Sequence, residues 1–239
     1  MTNYPLYIES GPKKKTTQVH VLVLLGCVVQ GLTTEDALAA TPAEIGRFLA
    51  FLNAHGESVD LAAPFTTTVA AHVMEGSWIG HGDPAPGFEP DFAPLGADEL
   101  ATHLRRLGWL REDLLALIGG LAEDQLLAKP EKGRPLYAVI EHVASAHYSY
   151  TQATVGKVEG LLPALKEVQL GPAALSDALP RFWSISTARL AAMTREERTR
   201  LVPRGEKVWT ARRGIRRTLE HEWEHFREIE RRLKRAATG

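Results

Sequence analysis

Residues 215–233 read Ile-Arg-Arg-Thr-Leu-Glu-His-Glu-Trp-Glu-His-Phe-Arg-Glu-Ile-Glu-Arg-Arg-Leu. Placed at about 100° per residue, Ile215, Leu219, Phe226, Ile229 and Leu233 share one face, and Glu222 falls among them. The spacing predicts a long amphipathic helix over 209–236. A carboxylate on such a face is costly without a partner, so Glu222 stands out. His221 and His225 lie on the flank of the same stripe. Together with Glu222 they spell H-E-x-x-H.

Three more segments, 97–119, 134–157 and 172–194, carry the same helical period, with Gly and Pro punctuating the chain between them. Four long helices with short connections predict a four-helix bundle over 96–239. Upstream, Gly80, Gly82, Pro84, Pro86, Gly87, Pro90 and Pro94 mark a linker over 80–95. Before it, 4–9, 17–24 and 65–74 read as strands and 33–55 as a helix that starts at the Thr33-Thr34-Glu35-Asp36 signal. Pro42 predicts a kink or a broken first turn there. The expected fold is therefore an α+β domain over 1–79, a small sheet with one helix, followed by an all-α domain. Charge divides the same way: residues 1–95 hold four Lys/Arg and ten Asp/Glu, and 96–239 hold 24 and 19. The net charge of −1 is thus a cancellation.

The single cysteine excludes an intramolecular disulfide framework and fits a reducing, cytoplasmic setting. Lys13-Lys14-Lys15 followed by Val19–Cys27 imitates a lipoprotein export signal. The strand upstream and the helix start soon after Cys27 favour a buried strand ending in a Gly-containing turn. No stretch approaches the length of a membrane span. Residues 195–235 hold 14 Lys/Arg against eight acids. The acids are interleaved and aromatics are few, which reads as a solvated face rather than a nucleic-acid patch.

H-E-x-x-H on a helix turns two imidazoles towards one metal ion. A zinc protease needs a further ligand downstream, yet only 14 residues follow His225 and Arg231 occupies the usual position of a third His. The third ligand must then come from another helix. Glu141-His142-Val143-Ala144-Ser145-Ala146-His147 supplies two candidates, His142 on the flank and His147 at the centre of the stripe Leu136, Ile140, Val143. Pattern alone allows either. Trp183, Trp209 and Trp223 read as packing aromatics.

Trp209-Thr210-Ala211-Arg212-Arg213 with Leu219–His225 resembles the final helix of the DinB/YfiT-like superfamily, and Glu141-His142-Val143-Ala144 resembles its second helix. The resemblance covers about residues 95–236. It implies a four-helix bundle holding a divalent metal, zinc or nickel, through His142, His221 and His225. His147 falls where members often carry Glu, leaving it as alternative ligand or pocket residue. Phe226-Arg227-Glu228 departs from the His-Arg-Gly-Gln-like sequence of many relatives, so substrate contacts there do not transfer. Three neutral imidazoles leave a coordination position open, as in catalytic zinc. Family members include S-transferases using a low-molecular-weight thiol cosubstrate and amidohydrolases. The resemblance implies an enzyme acting on a small-molecule substrate, with Glu222 as support behind the ligands or as proton carrier.

Val21–Gly31, Thr34–Leu38 and Pro42–Ile45 resemble a HicB-like antitoxin domain over about 4–76, a family with a small sheet and one helix. That resemblance implies a protein partner, and a rival reading in which the bundle is a metal-stabilised scaffold. No helix-turn-helix or ribbon-helix-helix follows it. A homodimer is compatible with either reading.

Overall fold

The computed structural model describes residues 1–12, 15–76, 79–81, 87–205 and 207–238. Lys13 and Lys14 of the export-like patch, and Gly82, Pro84 and Pro86 of the expected linker, lie outside the described residues. The chain forms two compact units: Met1–Ala93 with Gly205–Lys207, and Pro94–Arg204 with Val208–Gly239.

The first unit is sheet-rich. Strands β1 (Thr2–Ser10), β2 (Lys15–His20) and β3 (Val28–Thr33) precede helix α1 (Thr34–Ala54) and strand β4 (Phe65–Val73). The sheet order is β3-β2-β1-β4, with β1–β2 and β2–β3 antiparallel and β1–β4 parallel. A parallel pair cannot be closed by a tight turn, and α1 lies in the crossover that leads back to β4. The helix starts where Thr33 Oγ1 accepts from the Asp36 amide at 3.0 Å, with Glu35 and Asp36 in the first turn against the dipole. It buries Ala37, Ile45, Phe48, Leu49 and Leu52, and packs on β2 and β3.

Three expectations need correction. Residues 28–33 are a strand, because Val28 and Val29 add a third antiparallel partner where the sequence suggested only a turn at Gly31. The run after His20 leaves the sheet as a 3-10 turn, Leu22–Leu24, rather than extending the strand. Its residues are nonetheless buried, Cys27 among them, with Val23 exposed. Helix α1 also continues through Pro42, which sits on its exposed side, to Ala54.

The second unit is helical. Its order is α2 (Ala97–Ile118), α3 (Glu123–Leu127), α4 (Leu136–Val155), α5 (Leu161–Val168), α6 (Leu175–Ala191), α7 (Arg195–Thr199), the ribbon β5 (Val202–Arg204) and β6 (Lys207–Trp209), and α8 (Ala211–Thr238). Helix α8 packs on α4 and α2, and α6 packs on the same two helices. The apolar core comes from α2, α4, α5 and α6, through residues such as Leu114, Ile140, Leu165 and Phe182, with Ile229 from α8. The basic segment is solvated only in part: Arg195, Arg200, Arg204 and Arg231 are exposed, whereas Arg213, Arg216 and Arg217 are 1%, 1% and 3% exposed. Arg216 and Arg217 both reach Glu220 Oε2, at 2.8 and 3.4 Å, and the guanidinium of Arg213 lies over the Trp209 ring. Pairing and ring contacts offset the burial of these charges.

Gly214 sets how closely α8 approaches α4. A Cβ at this position would stand 1.8 Å from Thr154 Oγ1. Any larger residue would force the helices apart along the line that leads to the histidines. Helix α4 itself stops at Gly156, whose φ of 80° suits glycine.

Candidate metal centre

Helix α8 presents His221 and His225 one turn apart, and α4 contributes His142. Thr154 meets Gly214 at one end of the contact and His142 meets His221 at the other, so the helices run antiparallel. Nε2 of His142 lies 3.2 Å from Nε2 of His221. Ring centroids are 4.9 Å apart for His142–His221, 5.3 Å for His142–His225 and 4.6 Å for His221–His225. One ligand nitrogen from each residue lies within 4.8 Å of the other two. A tetrahedral ion with metal–nitrogen bonds of about 2.0–2.1 Å holds its donors roughly 3.4 Å apart, so the donor set fits a nitrogen-preferring divalent ion.

Electrostatics keeps His142 and His221 neutral. Burial pushes the His221 imidazole well below its ordinary pKa, and His225, His142 and Arg217 push the same way. Burial, Arg134 and His225 lower His142. Neutral imidazole is the metal-binding form. The tautomer of His225 is set by Glu228, whose Oε2 accepts from Nδ1 at 2.8 Å and leaves the lone pair on Nε2. That hydrogen bond holds the Glu228 carboxyl below the usual range, and Arg232 steadies its other oxygen at 3.3 Å. Tyr150 stands edge-on to His221, and its ring also meets Trp209.

Glu222 belongs to a second network. Arg111 of α2 donates to it in a fork, Nε to Oε2 at 2.9 Å and Nη2 to Oε1 at 2.8 Å. Nη1 of Arg111 donates to Thr187 Oγ1 of α6 at 2.9 Å, and its guanidinium lies over the Trp183 ring. Nδ1 of His147 is 3.2 Å from both Arg111 Nη2 and Glu222 Oε1, and its Nε2 is 3.3 Å from Thr151 Oγ1. Burial alone would raise the Glu222 pKa. The Arg111 charge and the His147 and Arg111 hydrogen bonds outweigh it and bring the carboxyl down to about 2. Burial lowers His147 against the pull of the Glu222 hydrogen bond.

The structure therefore brings His142, His221 and His225 together and places His147 with Glu222 and Arg111. Two participants were not singled out by the sequence reading. Arg111 carried a signal, a charge embedded in the buried stripe Leu104, Leu107, Leu110, Leu114. Its pairing with Glu222, 111 residues away, had none. Glu228 lies three residues beyond His225, where a helix brings side chains into contact. A cavity of about 720 Å³ lies at Tyr148, Gln152, Lys157, Leu162 and Pro163, and none of the three histidines lines it. Among the described residues no helix is long and apolar enough to cross a membrane.

The family model of the DinB superfamily matches residues 106–229, which reach from α2 into α8 and include His142, His221, His225, Glu228, Arg111, His147 and Glu222. No curated protein and no solved structure matches the chain.

Proposed function

The chain belongs to the DinB superfamily, and from that premise we propose that its helical unit is a divalent-metal-dependent enzyme whose ion is held by His142, His221 and His225. The observation that carries this reading is the convergence of three imidazole nitrogens from two helices within 4.8 Å. When bound, such an ion supplies Lewis acidity and activates a water molecule or a low-molecular-weight thiol cosubstrate. The chain's own residues do the rest. Glu228 fixes the His225 tautomer, and burial keeps His142 and His221 deprotonated. His142 retains partial exposure, which supports access for a small-molecule substrate. Of the two roles open to Glu222, the clamped and ionised carboxylate favours support over proton carriage. Zinc and nickel both suit imidazole donors.

The packing of α8 and α6 on α2 and α4 supports a four-helix bundle over 96–239. We read 1–79 as a HicB-like domain and 80–95 as its linker, supported by a four-stranded sheet carrying one helix. Strand β4 lies at the sheet edge with none of its residues buried, a surface that suits strand addition by a protein partner or a second copy. The buried single cysteine fits a cytoplasmic location.

Titration of zinc and of nickel into the metal-stripped protein tests the reading. One ion is expected per chain, with uptake lost in His221→Ala; absence of uptake of both ions rejects it. Turnover that requires an added thiol selects the transferase, and turnover without one selects the hydrolase.

A further inference from the structure

We propose that Arg111 is a positioning residue for the metal centre: by clamping Glu222 it fixes the rotation of α8 about its axis, and with it the direction of His221 and His225. The inference rests on the metal-site reading above. At 3.6 residues per turn, Glu222 stands about 100° around the helix from His221 and about 60° from His225. Any constraint on its azimuth is therefore a constraint on theirs.

The clamp is of the kind that constrains angle. Two parallel N–H···O bonds, 2.9 and 2.8 Å long, hold both carboxylate oxygens in the plane of the guanidinium. Arg111 is itself fixed by Thr187 and by the Trp183 ring on α6, and by His147 on α4. Through one side chain the azimuth of α8 is referred to α2, α4 and α6 together. A rotation of about 10° at a reach of roughly 6 Å from the helix axis moves a ligand nitrogen by about 1 Å. Sites of this kind need their groups within about 0.5 Å of the working geometry. A buried ion pair is a weak source of stability, since apolar residues of equal volume commonly replace it at no loss. It is a strong source of angular definition.

Cobalt(II) serves as the probe, added to the full-length, metal-stripped chain. The double variant Arg111→Met/Glu222→Leu removes both charges together and leaves no buried ion behind. Arg111→Lys keeps the charge and loses the fork. The expectation is that the metal-free double variant melts at or above the parent temperature yet binds cobalt about 10–100-fold more weakly, with a shifted visible spectrum. Arg111→Lys should fall between the two in affinity and in spectrum. Parent-like cobalt affinity and spectrum in either folded variant would overturn the positioning role. Failure of the parent chain itself to take up cobalt is a different result, and it would remove the metal-site reading along with this one.

Discussion

Around Glu222, the buried charges close on one another: Arg111 forks its carboxylate and donates to Thr187, His147 Nδ1 stands 3.2 Å from both partners of the fork, and Thr151 meets the far side of His147. Around His221, one residue earlier on the same helix, three imidazoles are turned on one another, with Nε2 of His142 3.2 Å from Nε2 of His221. Both clusters draw on α4 and α8. The difference is one of composition. Opposite charges in the first neutralise each other and define geometry. Like donors in the second concentrate lone pairs, which is an arrangement a cation completes.

If that contrast is right, the largest effect of any single change comes from halving the charge pair. Arg111→Ala or Glu222→Ala strands a buried ion and should lower stability by about 3–5 kcal/mol in urea unfolding. His221→Ala in metal-free protein should cost less than about 1 kcal/mol, since it strands no charge. Equal costs would erase the distinction.

Acid should discriminate next. The Glu222 carboxyl is lowered from 4.5 to about 2, so its stabilisation is complete above pH 4.5 and is lost as pH falls towards 2. The loss is on the order of 3 kcal/mol and should be absent from Arg111→Met/Glu222→Leu when both are unfolded across that range. Metal-dependent stabilisation should be somewhat smaller. Zinc at about 100 times its Kd raises unfolding free energy by about 2.7 kcal/mol, and His142→Ala should abolish that gain in thermal melts. The helix spacing gives an effect comparable to that of the metal. Gly214→Ala places a Cβ against Thr154 and should cost about 1–3 kcal/mol. It should also weaken zinc binding while leaving the Arg111–Glu222 pair intact, as read by unchanged acid sensitivity between pH 4.5 and 2.

Much of the helical unit was written in periodicity. The apolar stripe from Ile215 to Leu233 and the one from Leu136 to His147 place α8 and α4 within a few residues of their ends, because long amphipathic segments repeat their signal several times. Short elements carry too few repeats. Helices α3, α5 and α7 and the β5–β6 ribbon escaped for that reason, as did β3, whose Gly31 reads as a turn although it is paired with Thr17. The buried arginines escaped for another: the composition of 195–235 describes charge but not its partner, and Arg216 and Arg217 are satisfied by Glu220 on their own helix. At the site, spacing paired His221 with His225 but left His142 and His147 open. They are five residues apart on α4; α8 meets His142, whereas Arg111 of α2 and Phe182 of α6 reach His147.

Elemental analysis of the purified parent chain, His142→Ala and His147→Ala, each reconstituted with zinc, tests that separation directly. One ion per chain is expected in the parent, none in His142→Ala and close to one in His147→Ala. Metal retained by His142→Ala and lost from His147→Ala, or no metal in the parent, would contradict it.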